Sequence, residues 1–120
     1  MSRWIRLCLC CAGALACLAF AAPGSAGAAA AARACAAPDY PGSGYFTSLK
    51  VKQVSCRKGR EVTLAHYRCR VESGRAGRCG RRVLGNRCSE RRNSIPTEIN
   101  ARVKCRKGDT RVIYTYQQNT

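Results

Sequence analysis

Six cysteines, Cys35, Cys56, Cys69, Cys79, Cys88 and Cys105, run at intervals through a 120-residue chain. An even set in a short domain reads as a disulfide framework. The segment that holds them is roughly 90 residues long, one domain by size, and buries only a modest core. Cross-links at about 2–4 kcal/mol each then decide whether such a chain folds. No Cys-x-x-Cys occurs among the six and the chain has one histidine. Zinc-ligand spacing is therefore absent, and no metal or other cofactor is expected.

Four more cysteines, Cys8, Cys10, Cys11 and Cys17, sit in an apolar run from Leu7 to Ala22. Arg3 and Arg6 precede that run, and a small-residue tail follows with Ala26-Gly27-Ala28 and Ala32-Arg33-Ala34 as cleavage sites. A positive start, a short apolar core and an Ala-x-Ala tail make up a secretory signal. The run falls short of the roughly 20 residues of a membrane span, although an uncleaved anchor is the alternative. "ALAC" and "ARAC" are poor lipoprotein sites. The expected organisation is a signal peptide over 1–28, an extended segment over 29–47 and a disulfide-linked domain over 48–120. A secreted, extracellular protein with no membrane span in its mature chain follows.

Hydrophobic patterning gives the fold class. "SLKVKQV" alternates, with Leu49 and Val51 to one side and Lys50 and Lys52 to the other, as a half-buried strand does. Ser55 stands at the N-cap position of a helix running to about Arg70. Gly59, Val62, Ala65, His66 and Cys69 form its apolar stripe. Gly59 costs up to about 1 kcal/mol in a helix, which a close approach to the sheet would explain. "VESGRAGRCGRR" is a loop. "VLGNRCSE" reads as the second strand, with Leu84 and Cys88 on one face, and "RRNSIPTE" as a turn region. "INARVKC" and "TRVIYTYQQ" close the chain as a hairpin about Lys107-Gly108. That register pairs Val103 with Val112, Ala101 with Tyr114 and Ile99 with Tyr116. One helix packed on an antiparallel sheet of about four strands, an α+β domain, is the predicted fold.

Six cysteines can pair in many ways. Cys69–Cys79 is preferred because it closes the short loop after the helix. Cys56–Cys105 comes second on position, leaving Cys35–Cys88.

The charge balance points to a binding surface. With Arg3 and Arg6 set aside, twenty lysines and arginines face six carboxylates. Fifteen of the twenty are arginine, a side chain suited to bidentate contacts with phosphate and carboxylate. Alternation places Lys50, Lys52, Arg102, Lys104 and Arg111 on the face away from the helix, where Arg87 joins them. The same register sets Lys104 opposite Arg111, and like charges across a ladder repel. An anionic polymer or cell-surface material would relieve that repulsion, and a solvated basic face would tolerate it. Sequence-specific nucleic acid recognition is not expected, because Tyr114 and Tyr116 face the core and cannot stack on bases.

Enzymatic chemistry has little to stand on. His66 lies on the apolar stripe without a carboxylate within one helical turn, so it reads as a buried structural histidine and not as a base. A glutamate-and-histidine ribonuclease arrangement would need Glu90 or Glu98 beside His66, and His66 sits on the helix instead of near the sheet's end. A protease inhibitor is the alternative to a binding module, with Arg75 or Arg78 displayed on a Cys69–Cys79 ring. The two glycines around Arg75 weigh against it, since a flexible loop is cut.

"VSC…GREV" at the helix start, "VLGNRCSERR" and "ARVKCRKGDTRVIYTY" together resemble a group of small exported proteins of high-GC bacteria. The resemblance runs from about Leu49 to Tyr116. It implies a compact secreted cysteine domain and no particular activity. The expected protein is a monomeric, non-enzymatic, basic binding module.

Overall fold

The computed structural model describes residues 31–120. The signal core, with its four cysteines, and the first cleavage site lie outside them, whereas the second site, Ala32-Arg33-Ala34, runs into the first strand. Five strands and one helix follow in the order β1 (Arg33–Cys35), β2 (Gly44–Lys52), α1 (Cys56–Val71), β3 (Arg87–Ile95), β4 (Glu98–Lys107) and β5 (Thr110–Asn119). The strands form one antiparallel sheet in the order β1-β2-β5-β4-β3. Helix α1 packs on β2 and β5, and the loop after it leads to β3 at the far edge of the sheet. The α+β class is as predicted, with five strands in place of about four.

Three strands differ from expectation. β1 and the first half of β2 arise from the segment read as extended. The second predicted strand, Val83–Glu90, is displaced: Val83 to Asn86 form a tight turn, and β3 runs on through the presumed turn region to Ile95. Leu84 therefore sits at a turn tip and shares no face with Cys88.

The helix is built as its sequence dictates. Ser55 caps it, its hydroxyl accepting from the Lys58 amide at 3.1 Å. Gly59, Val62, His66 and Cys69 are buried, and Thr63 and Arg70 are buried with them. A Cβ at Gly59 would lie 2.5 Å from Val51 Cγ1, so only glycine lets the helix settle onto β2. Leu49, Val51, Val103, Val112, Tyr114 and Tyr116 form the sheet's share of the core.

Three disulfides close the fold: Cys35–Cys56, Cys69–Cys79 and Cys88–Cys105. The preferred pair is present. The other two correct the predicted Cys56–Cys105 and Cys35–Cys88. Cys88 lies directly opposite Cys105 because β3 and β4 pair about a tight turn at Pro96-Thr97. Cys35, on the inner face opposite Leu49, is left to clamp β1 to the start of the helix. Cross-links of this kind persist in oxidising surroundings. Among the described residues no helix is long and apolar enough to cross a membrane.

Candidate anion-binding face

The closing hairpin turns about Gly108-Asp109, with Lys107 opposite Thr110 and Gly108 at φ 55. This is one residue beyond the predicted turn, and it slides β5 by two positions. A slide of two preserves every face, whereas a slide of one would have inverted them. Val103 thus meets Tyr114 and Ala101 meets Tyr116, still in the core. Lys104 meets Ile113 instead of Arg111. The predicted opposition of Lys104 and Arg111 does not occur.

A longer opposition replaces it. Lys52 pairs with Arg111, Arg111 with Arg106, and Arg106 with Arg87. Residues directly opposite across a ladder point to one face. Four cations therefore cross β2, β5, β4 and β3 in an unbroken row on the face away from the helix. With strands about 4.8 Å apart, the row spans about 14 Å. The next row holds Lys50, Ile113, Lys104 and Ser89, and the third Ser48, Thr115, Arg102 and Arg91. All six predicted residues, Lys50, Lys52, Arg87, Arg102, Lys104 and Arg111, fall in these three rows. Arg106 was missed, although its parity with Lys104 and Arg102 marks it for the same face.

The row has no internal neutralisation. Among the described residues, none of Lys52, Arg87, Arg106 or Arg111 lies within salt-bridge distance of a carboxylate. Arg111 is steadied by its own turn, one guanidinium nitrogen donating to the Gly108 carbonyl at 2.6 Å and the Thr110 carbonyl at 2.9 Å. Arg82 and Lys107 complete a shallow cleft of about 360 Å³ lined by Arg87, Arg106, Gly108 and Arg111. Two unit charges 5 Å apart in water repel by about 0.8 kcal/mol. The fold holds this repulsion at its surface. An anion laid along the row would reverse its sign.

No family model, curated protein or solved structure matches this chain. Function must be read from the residues themselves.

The inner face holds a second polar cluster, of which the sequence reading weighed only His66 and Glu90, as an enzymatic pair that it set aside. Glu90 and Arg92, on edge strand β3, form an ion pair whose side chains are only 6% and 8% exposed. The Tyr116 hydroxyl donates to Glu90 at 2.6 Å. Arg70 lies over the Tyr116 ring at 4.4 Å and donates to the Tyr40 hydroxyl at 2.8 Å and Gln118 Oε1 at 2.9 Å. Burial alone would raise the Glu90 carboxyl, yet the hydrogen bonds from Arg92 and Tyr116 hold it below the usual carboxylate range. Burial pushes His66 down to about 4, so it is neutral at physiological pH, hydrogen-bonded to the Tyr114 hydroxyl. Tyr114 is itself pushed well up by burial.

This cluster secures the Cys69–Cys79 loop from beneath. Arg92 donates to the carbonyls of Ala76, at 2.7 Å, and Gly77. Gln118 donates to the Arg75 carbonyl at 2.8 Å. The loop is restrained despite its glycines, and the Glu90 side chain under it is only 6% exposed.

Proposed function

We propose that this protein is a secreted, non-enzymatic module that binds anionic polymers or anionic surfaces through the outer face of its sheet. The observation that carries this reading is the row Lys52–Arg111–Arg106–Arg87, four cations with no carboxylate partner among the described residues. Like charges set side by side destabilise a ladder. Binding a polyanion turns that cost into attraction, with the steep salt dependence of counterion release. The burial of His66, 1% exposed, and of the Glu90 side chain, 6% exposed, supports the non-enzymatic part of the reading.

Retention on heparin or polyphosphate, eluted by salt, tests it. Arg87→Gln with Arg106→Gln should lower the eluting salt sharply. Arg75→Gln with Arg78→Gln makes the same change in net charge from a loop and should lower it less. Equal losses would reduce the face to net charge alone.

A protease inhibitor is the second reading, favoured by the restrained carbonyls of the Cys69–Cys79 loop. Against it, the Gly77 amide donates to the Gly74 carbonyl at 2.8 Å, which folds Arg75 and Ala76 into a turn. Strand-like docking takes an extended chain. Arg78 is then the remaining anchor. Trypsin would be slowed by an inhibitor and would simply cut a binding module at Arg78.

A further inference from the structure

The geometry points to an anionic lipid bilayer as the surface that the turn end of the cation row engages, with Leu84 as the side chain that enters it. This rests on the polyanion reading and commits it to one source of anionic groups.

Leu84 is placed with unusual care for an exposed leucine. Val83 and Asn86 exchange backbone hydrogen bonds of 3.0 and 2.8 Å, and both are buried, at 6% and 4% exposure. The Asn86 side-chain amide donates to the Val83 carbonyl at 3.3 Å and the Leu84 carbonyl at 3.1 Å. The turn is thereby fixed from within. Leu84 stands at its tip, 48% exposed and at φ 47. Glycine and asparagine suit that left-handed conformation; leucine does not. A single exposed leucine is ordinary. One held in the left-handed region, on a rigid turn, is disfavoured twice in water.

The next residue, Gly85, packs against cations. Gly85 packs on Lys107 so closely that a Cβ there would lie 3.1 Å from Lys107 Cε. The Gly85 carbonyl accepts from Arg82 at 3.5 Å. Arg82 and Lys107 line the same cleft as Arg87, Arg106 and Arg111. An apolar tip beside five cations matches a layer of phosphate groups above hydrocarbon. The cations meet headgroups, and Leu84 reaches the acyl boundary below them. A soluble polyanion offers the cations the same partners and gives Leu84 nothing.

The two sources separate in one experiment. The oxidised protein is sedimented with vesicles of phosphatidylglycerol mixed with phosphatidylcholine, and with phosphatidylcholine alone. Binding should require the anionic lipid and weaken with salt. Leu84→Asn, which suits the turn and should leave the melting temperature equal or higher, should weaken vesicle binding about five- to tenfold, as expected for losing a partly buried leucine. It should leave heparin retention unchanged. Arg87→Gln with Arg106→Gln should weaken both. Undiminished vesicle binding by Leu84→Asn would overturn the inference and leave the polyanion reading standing. An equal loss on heparin would also overturn it, since Leu84 would then act through the fold. Binding to neither vesicles nor heparin would remove both.

Discussion

On the inner face of the sheet, Arg70 and Arg92 each donate to several acceptors; on the outer face, Arg87 and Arg106 have none among the described residues. The two faces differ in what surrounds the charge, not in which side chain carries it. Inside, each guanidinium ties distant segments together: Arg92 joins β3 to the loop, and Arg70 joins the helix to Tyr40 and to Gln118 on β5. Outside, the strands align cations and supply nothing to neutralise them. Arginine in this chain is thus structural where acceptors surround it and available for ligands where they do not. The difference predicts very unequal responses to the same substitution.

The largest response belongs to the inner pair. Arg92→Met would strand a nearly buried Glu90 carboxylate, at a cost of about 3–5 kcal/mol. Glu90→Leu combined with Arg92→Met should recover much of that loss, because no uncompensated charge remains. Arg106→Met, an outer-face counterpart, should change stability by less than about 0.5 kcal/mol. Urea midpoints of the three variants would decide it. A costly Arg106→Met would break the contrast between the faces.

The inner cluster should also give stability a pH dependence that the outer face lacks. His66 is pushed from 6.5 to about 4 by burial. Between those values the unfolded chain binds a proton that the folded one refuses. Stability is therefore complete above about pH 6.5 and falls progressively towards pH 4, by up to about 3 kcal/mol. Thermal midpoints from pH 7.5 to 4 should show this slope, and His66→Gln should flatten it. A slope unchanged in His66→Gln would assign it to other groups.

Next in size is the contact that seats the helix. Gly59→Ala gains up to about 1 kcal/mol of helix propensity, yet its Cβ would meet Val51. Overpacking typically costs about 1–3 kcal/mol, so a net loss of up to about 2 kcal/mol is expected. A gain in the denaturant midpoint would show that β2 yields easily there.

What the sequence revealed and concealed follows the same division. Ser55, Gly59, Val62, Tyr114 and Tyr116 were legible because capping and apolar period depend on residue type. The outer face was legible through alternation, even with the register out by two. The turn itself was ambiguous, because Gly108 can occupy either of two central positions. β3 was concealed because Arg91, Arg92, Asn93 and Ser94 alternate between faces without alternating in polarity. β1 is three residues inside an alanine-rich stretch, too short for a pattern. Arg92 and Arg70 were passed over because charged side chains are seldom buried, and Glu90 was weighed only as a catalytic base. Parity with Cys88 and spacing from His66 held the clue. The Cys88–Cys105 pairing was lost together with β3.

The smallest effect is the most discriminating. Arg106 has Arg111 and Arg87 as its direct cross-strand neighbours, whereas Lys104 has Ile113 and Ser89. Both side chains are exposed on the same face of β4. Arg106→Glu and Lys104→Glu therefore alter net charge identically and differ only in what stands opposite. Reversing Arg106 replaces two repulsions with two attractions and should stabilise the fold by a few tenths to about 1 kcal/mol. Lys104→Glu should gain distinctly less, since it feels only more distant cations through solvent. Raising the salt from low to physiological should shrink the Arg106→Glu gain as the screening length falls to about 8 Å. Equal gains from the two reversals would mean that the domain responds to total charge, and the row would lose its standing as a local feature. A gain specific to Arg106 would show that the register itself sets like charges against one another, leaving the row with repulsion that an anionic ligand can relieve.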